Sequence, residues 1–323
     1  MTKRFFLITG FFSIIALFVQ FWLTWISWLL GSIIQIIFYS LVATAMIFLM
    51  KKWHDTFRYH FIRSCLIFTS IFWVFSAILL IFILYQNLVP WAVGKIILSN
   101  GKKEIVFYQM SHIAFPHFYD RVNKDLQILS HSGSIVYTEW VLPGTPVNRD
   151  RFDALLGIKM TGTLYAKFAS TLGLQAQDQR LYTGVLSGSI ENVDISIDDI
   201  MKLVGTGIVT PIREPLDIEA ELSSVDFSNQ WFLLSPLLRA VLNYSIKNDG
   251  SLESMAELLS PELFTAILHD RNVHIVSRLE ADTHSHFALV YGALHFQGIY
   301  TLLRSHDSNW KILSISPLYP YSP

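Results

Sequence analysis

The sequence predicts an α/β fold, with a parallel or mixed sheet in a C-terminal domain that follows three transmembrane helices. Long apolar runs without charge fill about the first 90 residues. After Lys95 short apolar runs alternate with amphipathic stretches, a pattern typical of strands joined by helical crossovers. Two strand-like runs that each end near a His and lead into a helix, at the start and end of this domain, suggest a diverged internal duplication.

The first apolar run is long enough to cross a membrane twice. Residues 5–50 contain no Asp, Glu, Lys, Arg or His. A helix needs only about 20 residues to cross a hydrocarbon core of about 30 Å, so the run must turn back once. We place the turn at Gly31 and Ser32, after three Trp residues of the kind that gather at membrane interfaces. The predicted helices are 5–28 and 32–50.

A third apolar run predicts a helix over 64–86 and completes the membrane segment. Basic residues lie before the first helix and between the second and third: Lys3, Arg4, Lys51, Lys52, Arg58 and Arg63. By the positive-inside rule these ends are cytoplasmic. We therefore expect a multi-pass protein of the cell (inner) membrane, with a membrane domain over 1–94 and an extracytoplasmic α/β domain over 95–323.

The charge of the predicted outer domain limits the partners it can bind, and its lack of cysteine limits how it can be stabilised. Residues 95–323 carry 18 Lys and Arg against 24 Asp and Glu, a net charge of about −6. Nucleic acid is not an expected partner, because its binding requires a basic face. The only cysteine, Cys65, lies in the third apolar run. The outer domain therefore has no internal disulfide and must be stabilised by packing.

The outer domain begins with a strand, a helix and a second strand. Residues 104–108 predict a buried strand, 116–130 a helix with one apolar face, and 134–141 the next strand. Such a unit implies a parallel pair joined by a right-handed crossover. Further helices are predicted over 153–174, 233–241 and 260–280, a capped helix start over 194–199, and strands over 286–291 and 310–315.

Three polar residues are expected at one edge of this sheet. His112 follows the first strand, Glu139 lies near the end of the second, and His295 follows the strand over 286–291. The carboxyl ends of parallel strands meet at one edge, where open α/β sheets bind their ligands. The two histidines and the glutamate are therefore candidates for one shared site.

Several motifs occur in an order that resembles one protein family. They are Met110-Ser111-His112, Phe118-Tyr119-Asp120-Arg121-Val122, Val136-Tyr137-Thr138-Glu139, Leu172-Gly173-Leu174, Val193-Asp194-Ile195-Ser196, Asp270-Arg271-Asn272 and Gly292-Ala293-Leu294-His295-Phe296-Gln297-Gly298-Ile299. Over residues 104–315 they resemble the TraB/PrgY/GumN group, which is related to the Tiki membrane-anchored metalloproteases. That family has two Gly-x-x-His motifs, a glutamate that ends the second strand and an arginine before the second motif.

The resemblance implies a divalent-metal-dependent hydrolase that cleaves peptides outside the membrane. The implied metal ligands are His112, His295 and Glu139, and the implied catalytic residues are Glu139, as ligand or general base, and Arg271, which would orient Glu139 or stabilise an oxyanion. Two imidazoles and a carboxylate suit a catalytic divalent ion such as Mn, Co or Zn. The expected partners are a peptide or protein substrate and the lipid bilayer. Gln109 departs from the family pattern, because it replaces the first glycine.

Other interpretations of the same residues stay open at this stage. A histidine at a strand end can be a hydrogen-bonded structural residue, and an arginine in a helix is commonly solvated. Because of Gln109, the alternative function is a receptor that captures a peptide or another ligand without cleaving it. His284 and His286 alternate along a strand and could bind metal, although such a pair is more often a polar strand end.

Overall fold

The computed structural model describes most of the chain after the first apolar run. The described residues are 55–205, 214–220, 231–248 and 259–322. By its internal contacts the chain divides into two units, Met1–Phe82 and Ile83–Pro323. The predicted helices 5–28 and 32–50 lie outside the described residues.

The first described element is a helix, α1, over Asp55–Leu88. The predicted helix over 64–86 lies within it. No helix in the described part of the chain has both the length and the apolar character required to cross a membrane.

The second unit is built on a six-stranded, mostly parallel sheet, which confirms the predicted α/β class. The strands of this sheet are β1 Val93–Ser99, β2 Glu104–Met110, β4 Ile135–Thr138, β6 Ile190–Asn192, β7 His286–Gly292 and β8 Lys311–Leu318, and a separate pair is formed by β3 Ile113–Ala114 and β5 Gln175–Ala176. The sheet order is β6-β4-β7-β2-β1-β8. Strands β6, β4, β7 and β2 run parallel to their neighbours, and β1 is antiparallel to both β2 and β8.

Helices connect the strands. Their bounds are α2 Pro116–His131, α3 Pro146–Leu156, α4 Leu164–Thr171, α5 Ile197–Val204, α6 Trp231–Asn248, α7 Pro261–Phe264, α8 Arg271–Ala281 and α9 His295–His306, with 3₁₀ turns at Gln179–Tyr182 and Ser187–Ser189. A π-helical turn, Thr265–Asp270, joins α7 to α8. The predicted cap of α5 is confirmed, because Ser196 and Asp199 form a reciprocal capping box.

Helices cover both faces of the sheet. One face packs against α8 and α9 through Ile105, Phe107, Leu289, Ile275 and Ile299. The opposite face packs against α2 through Val106, Tyr108, Val290, Val122 and Leu126. Successive residues of a strand point to opposite faces, so the central strands are nearly continuous apolar runs. Because helices cover both faces, the ends of the strands are where polar side chains of this unit can gather.

The predicted pairing of the first two strands is wrong in one respect. Strands β2 and β4 are parallel, but β7 lies between them and pairs with both. A local strand-helix-strand pattern predicts that its two strands run parallel. Which strands lie next to each other in the sheet depends instead on packing between residues distant in sequence. The insertion of β7 brings the end of that strand, at Gly292, directly beside the ends of β2 and β4.

Several other elements also differ from prediction. The helix predicted over 153–174 is divided, because Gly157 ends α3 in a left-handed conformation, with φ 72°. The strand predicted over 134–141 ends at Thr138. Strand β1 was not predicted, since it crosses the expected domain boundary at 94/95 and follows the apolar run without a break in composition.

Candidate functional site

The sheet topology collects polar residues at one edge. Because β2, β4, β6 and β7 are parallel, their carboxyl ends lie together. Glu139 directly follows β4, Asp194 follows β6 after one residue, and His295 follows β7 after two. This is the edge at which open α/β sheets bind ligands.

Glu139 is the centre of the buried cluster. Its side chain is only 10% exposed. Its Oε1 accepts a hydrogen bond from Arg271 Nη2 at 2.8 Å, and its Oε2 accepts one from the Gly292 backbone N–H. Burial alone would raise the pKa of Glu139, but His295, Arg271 and His112 together hold that pKa well below its usual value. The carboxylate is therefore charged at neutral pH.

Arg271 joins Glu139 to a second carboxylate. Its Nε lies 2.9 Å from Asp194 Oδ1 and its Nη2 lies 2.6 Å from Asp194 Oδ2, a bidentate pair. The Asp194 side chain is fully buried. Burial tends to lower the pKa of Arg271, but the two carboxylates raise it above its ordinary value. Arg271 begins α8 directly after the π-helical turn, a feature common at functional sites.

His295 completes the cluster from the first turn of α9. The residue is buried, and its Nε2 lies 3.3 Å from Glu139 Oε1. Its Nδ1 lies 2.7 Å from Oδ1 of Asn272, which is also buried. Both ring nitrogens thus face an oxygen atom of a buried side chain.

The cluster carries an excess of negative charge. Glu139 and Asp194 supply two carboxylates against the single guanidinium of Arg271, which leaves one negative charge when His295 is neutral. A buried charge without a counter-ion is costly. The cluster is therefore suited to a bound cation or an additional proton.

His112 lies at the same edge but outside this hydrogen-bonded cluster. Its side chain is exposed, and its ring contacts the ring of Tyr165 with centroids 5.1 Å apart. It is close enough to Glu139 to help lower the pKa of that carboxylate. In the described part of the chain, no group of three or more His, Cys, Asp or Glu side chains is placed to hold a metal ion.

Hydrogen bonds to backbone carbonyls fix the loop that carries His112. The Tyr119 hydroxyl donates to the Ser111 carbonyl at 2.9 Å, and the Gln177 N–H donates to the His112 carbonyl at 2.8 Å. Ser111 donates from its hydroxyl to the Ile113 carbonyl at 2.7 Å. Tyr119 is thus a buried residue of α2 that also orients this loop.

Gln109 has a structural role at the position where the family pattern has glycine. Its Oε1 accepts from the Gly94 N–H at 2.6 Å and its Nε2 donates to the Ala293 carbonyl at 3.4 Å. The side chain therefore ties β1 to the loop after β7. At Gly292, by contrast, an added Cβ would lie 3.1 Å from Glu139 Oε2. Glycine there leaves room for the carboxylate.

The sequence analysis did not assign Asp194, Tyr165 or Asn272 to the site. Asp194 follows a strand, and Asn272 is next to Arg271 in one of the motifs, so the sequence offered a reason to consider both as site residues. No such sequence feature marks Tyr165, in the first turn of α4. Burial and then Glu139 raise the pKa of Tyr165, with Arg271 opposing, so its hydroxyl remains a hydrogen-bond donor.

The His284 and His286 pair lies away from this site. His286 begins β7, at the amino end of the strand, whereas the site lies at the carboxyl end. His284 Nδ1 lies 2.6 Å from Asp282 Oδ1. The pair belongs to a polar strand end.

Comparisons of this chain with protein-family models, curated proteins and solved structures find no match.

Proposed function

We propose that the chain is a membrane-anchored, divalent-metal-dependent hydrolase that cleaves a peptide bond outside the membrane. The observation that carries this proposal is the pair formed by His295 Nε2 and Glu139 Oε1, which lie 3.3 Å apart. Ligand atoms about 2.0–2.2 Å from a tetrahedral ion are about 3.3–3.5 Å from each other. The spacing of this pair fits two neighbouring ligands of one ion.

The charge of the cluster supports the same proposal. A divalent cation beside Glu139 would offset the negative charge that Arg271 leaves unbalanced. Imidazole and carboxylate ligands suit Mn, Co and Zn. In the proposal His295 and Glu139 bind the ion, and His112, exposed at the same edge, is the third ligand.

A bound ion would supply an activated water and a polarised carbonyl. Glu139 suits the role of ligand better than that of general base, because a carboxylate with a strongly lowered pKa is a weak proton acceptor. The Nε and Nη2 groups of Arg271 already donate hydrogen bonds to Asp194 and Glu139. Its proposed role is therefore to orient Glu139 rather than to bind an oxyanion.

The membrane location is proposed from the sequence. The uncharged run over 5–50 and the run over 64–86 supply three apolar segments, and basic residues on their predicted cytoplasmic side place the second unit outside. Along α1, large apolar side chains are exposed, including Phe75 at 64% and Ile81 at 65%. The proposed substrate is accordingly a peptide or protein on the extracytoplasmic side.

Metal analysis of the full chain tests this function. The protein is purified in detergent, loaded with Mn²⁺, Co²⁺ or Zn²⁺, dialysed and analysed for bound ion. We expect about one ion per chain, lost when His295→Ala and His112→Ala are combined. His131→Ala is the matched control, because His131 is an exposed histidine on α2. No bound ion in the unmodified chain, or equal loading of all variants, would refute the proposal.

A second candidate is a receptor that binds a peptide at this edge without cleaving it. Gln109 favours it, because its side chain occupies the place of the first family glycine and bonds to Gly94 and Ala293. The two functions differ in one measurement, the mass of a peptide recovered after incubation with the metal-loaded chain. A receptor returns the peptide intact.

A further inference from the structure

Asn272 lies against the Nδ1 side of the His295 ring. The two side chains are buried, and Asn272 Oδ1 lies 2.7 Å from His295 Nδ1. A carbonyl oxygen can only accept a hydrogen bond, so this contact is a hydrogen bond when Nδ1 carries the hydrogen. A neutral imidazole has one such hydrogen, and its Nε2 is then left with a free lone pair.

That free lone pair faces an unusual neighbour. His295 Nε2 lies 3.3 Å from Glu139 Oε1, an oxygen that also accepts a hydrogen bond from Arg271 Nη2. Two acceptors, Asn272 on one side and Glu139 on the other, thus compete for the single imidazole hydrogen. If Asn272 is removed, Glu139 is the acceptor that remains beside the ring, at Nε2.

Gly298 makes the contact with Asn272 possible. It lies inside α9, one turn after His295, where glycine is less favourable than alanine. A Cβ added at Gly298 would overlap the amide nitrogen of Asn272. The glycine therefore provides the space in which the amide packs beside the imidazole.

We propose that Asn272, in the space left by Gly298, is a positioning residue that holds His295 in its Nδ1–H tautomer and keeps Nε2 open for a divalent cation. The contact between Asn272 and His295 is present without any cation, whereas the role of Nε2 as a ligand rests on the proposed function. Partners that orient a ligating histidine in this way typically change metal affinity by 10- to 100-fold.

The tautomer can be measured without metal. Ring-¹⁵N-histidine is incorporated into the full chain, spectra are recorded in detergent at a pH where the imidazoles are neutral, and the His295 signals are assigned by their loss in His295→Gln. We expect the Nδ1–H form in the unmodified chain and the Nε2–H form in Asn272→Ala. Gly298→Ala, which keeps the amide but displaces it, should shift the equilibrium in the same direction.

Asn123→Ala is the matched control, because Asn123 is a partly buried helix residue that donates to the Arg180 carbonyl away from the site. It should leave the His295 tautomer unchanged. An Nε2–H form in the unmodified chain, or an unchanged tautomer in both Asn272→Ala and Gly298→Ala, would overturn the inference. Asn272→Asp keeps an acceptor, should keep the tautomer, and gives a second reading if the alanine variant does not fold.

A Zn²⁺ titration of the same proteins separates this inference from the proposed function. We expect Asn272→Ala to bind Zn²⁺ 10- to 100-fold more weakly than the unmodified chain. A tautomer shift with no Zn²⁺ binding by any variant upholds the positioning role and refutes the metal site. Equal Zn²⁺ binding with an unchanged tautomer upholds the metal site and refutes the positioning role.

Discussion

The ends of β2 and β7 begin as similar motifs and finish as different environments. At the end of β7, His295 is buried, starts a helix and has a side-chain oxygen beside each ring nitrogen. At the end of β2, His112 is exposed and its ring rests against Tyr165. The difference teaches that a histidine after a strand does not define a site until buried partners orient it.

The residue that precedes each histidine by three positions accounts for part of this difference. Gly292 leaves space for the Glu139 carboxylate and donates its N–H to it. Gln109 instead uses its side chain to join Gly94 to Ala293. The end of β7 therefore receives the carboxylate, and the adjacent end of β2 receives a structural bridge.

The largest expected effect comes from removing the guanidinium that supports the β7 end. Arg271→Met would leave Glu139 and Asp194 buried without their counter-ion, and breaking such a pair costs about 3–5 kcal/mol of unfolding free energy. Urea unfolding of the full chain in detergent measures the loss. The control is Arg278→Met, because Arg278 forms an exposed ion pair in which its Nη2 lies 3.4 Å from Glu191 Oε2. An exposed pair contributes about 0–1 kcal/mol, so equal losses would contradict this account.

A smaller effect is expected from acid. The pKa of Glu139 is lowered in the folded chain, so the unfolded chain binds the proton first. The stability due to this carboxylate is present above its unfolded pKa of about 4.3 and is lost as the pH falls toward the folded value. The unfolding free energy should therefore fall below about pH 5, and less steeply in Glu139→Gln. Parallel pH curves for the two proteins would show that Glu139 is not held in its charged form.

The smallest effects come from exchanging the residues that precede the histidines. Gly292→Ala places a methyl group against Glu139 and should cost about 1–2 kcal/mol. Gln109→Gly removes two hydrogen bonds and should cost about 1–2 kcal/mol. Gly188→Ala, with open space around the added methyl, is the control and should change the unfolding free energy by less than about 0.5 kcal/mol. If Gly292→Ala changes the unfolding free energy as little as this control does, the close approach of Glu139 to Gly292 does not contribute to stability.

The sequence predicted the α/β class and the edge of the sheet at which the polar residues gather. Periodicity shows which strands are buried, and the parallel connection places Glu139 and His295 at one edge. The position of β7 between β2 and β4 was not predictable in this way, because strand order depends on packing between residues about 180 positions apart. Asp194 was missed for a similar reason, since it joins the site only when β6 pairs with β4.

The residues that surround His295 also could not be predicted from the sequence. Asn272 reaches the ring because α8 and α9 pack together and Gly298 leaves room between them. Tyr165 comes from α4, where no strand or motif marks it. Contacts between helices on one face of a sheet depend on side-chain volume, which periodicity does not record.

The most direct measurement compares the Co²⁺ affinity of two single variants of the full chain, His295→Ala and His112→Ala, with that of the unmodified protein. The account predicts that both variants bind more weakly and that His295→Ala loses more, because in the proposed site His295 Nε2, 3.3 Å from Glu139 Oε1, is a buried ligand whereas His112 is exposed. Unchanged affinity in His295→Ala would contradict the account, since the buried cluster would then not be the place where the ion binds.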